Sequence, residues 1–309
     1  MSGNMMYLAS AFFVLISFQL VTSTQITNFM FAPVNLDHEC AQKSGDIQSE
    51  VTIILIHGMG MTKENWNGVF ENLVFSSGRR VCRVDLRNHG NSPWSNETSV
   101  GAMSHDIVHF LDEIGAKKAI LVGHSLGGKI AMHTALNYAE RIESIVVEDI
   151  TPNLSVIIED TVMLFWKIFK LAMDKVPSGS SETEAKKIFI SYMKHLMKQL
   201  QATIDDQNYF IAPFTCSKEK CQWKMNVDDI LPVLEEDVHK FWTPSVGVFE
   251  GPALFMYGTE SIFQVADHEQ DIRNLFPKAK LVAFEGADHL LHGIYQDFEN
   301  EILKLIKDF

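Results

Sequence analysis

The sequence is short of positive charge, of cysteine and of nucleotide-binding signatures. Its 309 residues carry 26 Lys+Arg against 39 Asp+Glu, a formal charge of −13. Binding phosphate needs clustered Lys and Arg, so this balance argues against a nucleic-acid partner. It favours a protein that repels its own kind and other anions, as a monomer or weak oligomer. Four cysteines are too few for a disulfide scaffold, though enough for two bridges. No internal repeat, collagen-like bias or Pro- or Ser-rich linker is present, and an apolar content of 46% is too high for a disordered chain. No Gly-x-Gly-x-x-Gly follows the first predicted core strand and no P-loop occurs, so no nucleotide is implied.

Charged side chains are also missing before Asp37. Residues 7–21 (YLASAFFVLISFQLV) form an apolar run of 15 residues. A bilayer span needs about 20 residues, whereas a secretory h-region is shorter. Thr22-Ser23-Thr24 supplies small residues, with Val21 and Ser23 at −3 and −1. The expectation is a cleaved signal peptide over 1–23 and a secreted mature chain with no stable membrane insertion, the alternative being an uncleaved anchor. In an oxidising compartment Cys216 and Cys221, which bracket a polar turn, can bridge. Cys40 and Cys82 are then the remaining pair, unless Cys82 stays a buried thiol in a core strand. Asn96-Glu97-Thr98 and Asn153-Leu154-Ser155 match the glycan acceptor pattern.

Strand and helix patterns alternate from 51 to 150. Residues 26–32, 51–56, 80–85, 118–123 and 142–147 read as strands, and 33–50 as a polar loop. Runs such as VTIILI, apolar at every position, suit a strand covered on both faces. Residues 62–77, 99–114 and 126–139 have helical spacing. The rhythm breaks into a mostly helical stretch and resumes near 253. The fold class expected is α/β: a doubly wound, mostly parallel sheet in one domain over 24–309, with a helical lid insertion at about 152–242. The amphipathic segment 154–174 can pack onto the core, cover the pocket or touch lipid.

The sharpest signal is Gly123-His124-Ser125-Leu126-Gly127, a Gly-x-Ser-x-Gly between a predicted strand and helix. That context makes Ser125 a candidate nucleophile on a tight turn. Its oxyanion needs donors: Leu126 N–H, and Met59 N–H from the His57-Gly58-Met59-Gly60 loop. The base must come late in the chain, and His289, between the last strand and helix, fits better than His292. His124 reads as a packing residue. The acid is marked less sharply. Ser261 stands where an aspartate is expected, near Glu260 and Asp267. Asp149 is preferred, because an acid only has to orient the imidazole and can come from another strand; Asp228 is the second candidate, with an N-cap as its other role. His105 and His109 lie four apart without a visible third ligand and read as a solvated helix face.

These motifs bring a family into view. The chain resembles the α/β-hydrolases, and within them the group of α/β-hydrolase domain-containing protein eleven and its bacterial esterase relatives. The matching residues are Val84-Asp85-Leu86-Arg87-Asn88-His89-Gly90-Asn91-Ser92-Pro93, Gly123 to Lys129, Asp149-Ile150-Thr151-Pro152, Trp223 to Asp228 and Phe276-Pro277. The resemblance implies a serine esterase or lipase with Ser125 as nucleophile and His289 as base. It places the acid at Asp149 by the bacterial members and at Asp228 by the animal ones. It also implies diacylglycerol or other acyl esters as substrates and, from the animal members, a mitochondrial location. The family's Gly-His-Trp is Asp288-His289-Leu290 here, so the pocket rim differs.

The expected chemistry is carboxylic-ester hydrolysis through an acyl-enzyme, without metal or organic cofactor. The substrate expected is a small acyl ester or neutral lipid, since an acidic chain disfavours anionic membranes. Epoxide or haloalkane hydrolysis would need an aspartate in place of Ser125. A catalytically inactive small-molecule or lipid-binding protein is the rival from another class.

Overall fold

The computed structural model describes residues 32–43, 50–154, 156–199, 214–217, 219–236 and 238–307. The expected leader, nearly all of the strand expected over 26–32, and Ser155 lie outside these residues.

The sheet begins with a short strand the sequence does not announce. β1 (His38–Ala41) falls in the expected polar loop and has no alternating apolar face. It forms because it pairs antiparallel with β3 (Val81–Val84), with Cys40 opposite Cys82 and bonded to it. β2 (Thr52–Ile56) is buried at every position. β4 (Ala119–His124), β5 (Ile142–Glu148), β8 (Ala253–Gly258) and β9 (Ala279–Phe284) complete a seven-stranded sheet in the order β1-β3-β2-β4-β5-β8-β9. All neighbours except β1 and β3 run parallel.

Successive side chains of a strand point to opposite faces, which divides the core in two. Ile53 and Leu55 pack with Val69, Phe70 and Leu73 of α1 (Val69–Ser76) and with Phe298 and Ile302 of α9 (Asp297–Lys307). Ile54 and Ile56 pack on the other face, with Met103 and Phe110 of α2 (Val100–Glu113), Ile130 of α3 (Leu126–Asn137) and Ile272 of α8 (Glu269–Leu275).

Between β5 and β8 the chain forms α4 (Val156–Met173), α5 (Glu182–Gln199), β6 (Phe214–Cys216), β7 (Cys221–Trp223), α6 (Val227–Glu236) and α7 (Val238–Trp242). The antiparallel pair β6 and β7 interrupts a stretch expected to be mostly helical, and the Cys216–Cys221 disulfide joins its strands. Cys82 is therefore not a free thiol. Among the described residues no helix is long and apolar enough to cross a membrane.

Candidate active site

Ser125 joins β4 to α3 with φ 52° and ψ −114°, a backbone region that non-glycine residues rarely adopt. The flanking glycines follow from sterics. A Cβ on Gly123 would lie 2.2 Å from the Gly127 carbonyl oxygen, and one on Gly127 would lie 2.1 Å from that of Ile56. Strand, turn and helix thus touch backbone to backbone, and any side chain would separate them. The Ser125 amide donates to the Glu148 carbonyl at 2.9 Å, tying the turn to β5.

The same close approach brings α3 beside the loop after β2. Leu126 is the first residue of α3, where helix amides have no partner within the helix. Met59 lies half-buried in the turn that follows β2, whose Ile56 is in register with Gly123. Both expected oxyanion donors therefore sit at the C-terminal ends of adjacent parallel strands. The Leu86 amide donates to His57 Nε2 at 3.0 Å, and His57 Nδ1–H donates to the Gly58 carbonyl at 2.8 Å. Burial lowers the His57 pKa to about 4, so the ring is a neutral brace for this loop.

His289 follows β9, and its Nδ1–H donates to Asp149 Oδ2 at 2.7 Å. Asp149 follows β5 directly, at φ 53° and with a fully buried side chain. Its other partners are the Gly258 amide, donating to Oδ1 at 3.0 Å, and the Ser261 hydroxyl, donating to Oδ2. Ser261, standing where an aspartate was expected, instead bonds a carboxylate that comes from the neighbouring strand. Asp228 is elsewhere: its side chain is 87% exposed, on the first turn of α6, and pairs with Lys170 at 3.1 Å. Nor is Asp228 an N-cap, because α6 begins at Val227. Glu260 and Asp267 are exposed.

One histidine differs from its sequence reading. His124 is more than packing: its Nε2–H donates to the His289 carbonyl at 3.0 Å, and burial lowers its pKa to about 3. Its ring lies 4.7 Å from that of His289 and 5.1 Å from that of His292. His292 is buried, its Nδ1 2.7 Å from Glu148 Oε2. The reading of the sequence missed Glu148 as a partner, although Glu148-Asp149 and His289…His292 supply two acids and two imidazoles in parallel. His105 and His109 are partly exposed on one helix face, and His109 Nε2 meets Asn35 Oδ1 at 3.0 Å. Among the described residues no group of three potential metal ligands occurs.

The insertion reaches this site through aromatic rings. Trp166 and Phe169 of α4, Phe189 of α5 and Trp223 of β7 form one buried cluster. Trp166 rests on Gly60: a Cβ there would lie 2.3 Å from Trp166 Cη2. Lys167 and Lys170 point outward, to Glu235 and Asp228. The return of the insertion is pinned to the loop after β3, where the Gly90 amide donates to the Lys224 carbonyl at 2.6 Å and the Asn226 amide to that of Asn88 at 2.8 Å. Arg87 in that loop is buried and forms a bidentate pair with Asp106, at 2.5 and 2.6 Å.

A strained serine between strand and helix, with a carboxylate at the end of the next strand and a histidine after the last strand, is the arrangement of one large family. Residues 51–293 match the α/β-hydrolase fold family. The chain belongs to it. This hydrolase is 30% identical over 265 residues to the sn-1-specific diacylglycerol lipase ABHD11 of Danio rerio, covering 85% of this chain and 79% of that one. It is 27% identical over 260 residues to the esterase YbfF of Escherichia coli, covering 82% of this chain and 91% of that one. Among solved structures it is similar to a marine microorganism esterase, with a TM-score of 0.71 and 22% identity over 88% of this chain and 99% of that one. The structural likeness establishes the fold.

Proposed function

We propose that this α/β-hydrolase cleaves carboxylic esters, with Ser125 as nucleophile, His289 as base and Asp149 as the acid that orients it. The observation that carries the reading is the His289–Asp149 hydrogen bond of 2.7 Å, made by the residue that follows β5, the strand paired with β4, which ends at the strained turn of Ser125. In the first half-reaction His289 takes the Ser125 proton, and Oγ forms a bond to the acyl carbon. The carbonyl π electrons move to oxygen, where the amides of Met59 and Leu126 stabilise the charge. The intermediate collapses, the ester C–O bond breaks and His289 returns the proton to the departing alcohol. Water repeats the sequence on the acyl-enzyme, releasing the carboxylic acid and restoring the Ser125 hydroxyl. Asp149 keeps the proton of His289 on Nδ1, leaving Nε2 to serve the serine.

Neutral acyl esters, diacylglycerols among them, suit a chain of net charge −13 and an insertion that carries an aromatic cluster. The relatives named as a diacylglycerol lipase and an esterase support that class. The test is labelling of the purified chain with a fluorophosphonate, followed by turnover of a series of acyl esters. Labelling that disappears in Ser125→Ala is expected; labelling independent of Ser125 would sink the reading.

We also infer passage through the secretory pathway. Two disulfides, an apolar N-terminal run and exposed Asn96 and Asn153 in acceptor tripeptides support it. Expression of the full chain in a eukaryotic cell should give medium-localised protein whose mass falls on glycosidase treatment. Protein retained in mitochondria would contradict this.

A further inference from the structure

β5 ends in consecutive carboxylates, Glu148 and Asp149, and only Asp149 has a part in the reaction proposed above. Glu148 is equally buried, at 0% exposure. Its Oε1 accepts from the backbone amides of Leu291 and His292 at 2.7 and 2.9 Å, and its Oε2 from His292 Nδ1–H at 2.7 Å. Burial pushes its pKa up, but the neighbouring His292 and His124 and these donors outweigh it and hold it at about 2. Trp66 stacks on His292 with ring centroids 4.1 Å apart and closes the far side. The Glu148 carbonyl accepts from the Ser125 amide at 2.9 Å. In β4, opposite Glu148, stands His124, which donates to the His289 carbonyl. One residue therefore touches both halves of the site. Its main chain holds the serine turn, and its side chain holds the loop just beyond His289.

We propose that Glu148 is a positioning residue for His289, a clamp that fixes the loop between β9 and α9 so that the imidazole meets both Asp149 and Ser125. The inference rests on the serine-hydrolase reading. Asp149 holds the ring at Nδ1, and His124 holds the His289 carbonyl. Glu148 fixes the chain just beyond by accepting from the amides of Leu291 and His292, two and three residues further on. Displacement of a reacting group by about 1 Å can cost about 100-fold in rate.

The test uses the full chain with Glu148→Gln and His292→Gln, and two butyrate esters. A nitrophenyl ester releases an anion that needs no proton, whereas an ethyl ester needs one from His289 to depart. Active sites are counted by fluorophosphonate titration, so an unfolded fraction cancels. In Glu148→Gln, kcat/KM per active site, which reports acylation alone, should fall about 100-fold on the ethyl ester. The loss on the nitrophenyl ester should be several-fold smaller. His292→Gln keeps both backbone donors and should show the same split, smaller in size; it decides the matter if Glu148→Gln does not fold. Equal losses of kcat/KM on both esters, or unchanged kcat/KM with only a lower melting temperature, would overturn the proposal and leave Glu148 a purely structural group. Absence of Ser125-dependent labelling in the unsubstituted chain would instead remove the hydrolase reading on which it stands.

Discussion

At the residue level the site is governed by contacts too short for side chains. Gly127→Ala would place a methyl group 2.1 Å from the Ile56 carbonyl oxygen, with backbone on both sides and nothing flexible to yield. The variant should lose about 1–3 kcal/mol of stability, measured by urea unfolding, and most of its fluorophosphonate reactivity, because α3 must move off β2. The acid is equally sharp. Asp149→Asn keeps the shape but offers an amide to His289, so kcat/KM on a nitrophenyl ester should fall about 10³–10⁴-fold. Asp228→Asn removes only an exposed pair with Lys170 and should stay within about two-fold of the unsubstituted chain. Comparable losses in the two variants would contradict the geometry seen here. The Gly-x-Ser-x-Gly turn is readable from sequence because its constraint is local. The choice between Asp149 and Asp228 is not, because either carboxylate could face a histidine 140 or 61 positions away.

At the scale of elements, β1 shows how a covalent link replaces a hydrophobic pattern. Its four residues are mostly exposed, and it is held by pairing with β3 and by the Cys40–Cys82 bond. The bond closes a chain segment with a sequence separation of 42. Loop entropy then assigns it about 4 kcal/mol. Cys40→Ala with Cys82→Ala should lower the urea midpoint accordingly while leaving kcat little changed, since β3 and β2 lie between β1 and β4. An unchanged midpoint would mean that β1 contributes nothing through the bond. The insertion follows a similar logic: its helices are readable from their period, but β6 and β7 are too short to signal themselves and are joined by Cys216–Cys221.

At the scale of the whole molecule, buried neutral histidines tie stability to pH. Burial lowers His57 and His133 to about 4, and His89 and His124 to about 3, from an ordinary value of 6.5. Below 6.5 the unfolded chain therefore binds protons that the folded chain refuses. Their contribution is fully present above pH 6.5 and is lost as pH falls toward 4 and then 3. Each histidine adds a slope of about 1.4 kcal/mol per pH unit in that window. Glu148, held at about 2 against 4.5, has the same sign and acts lower, between those two values. Urea unfolding at pH 7.5, 6 and 5 should show a plateau and then a steep fall; a flat profile down to pH 5 would contradict these assignments.

The sequence by itself determined the alternation of strand and helix, the two-sided burial of the central strands, the serine turn and the late histidine beside it. Each of these is a short-range pattern: a period, a pair of glycines, an order along the chain. The sequence ranked Asp149 ahead of Asp228; tertiary structure decided that Asp149 meets His289, that Ser261 bonds that carboxylate, that β1 exists, and that Glu148 grips the loop beyond His289. Those outcomes depend on distances between residues more than 40 positions apart, which pattern and propensity do not encode and which sheet order sets.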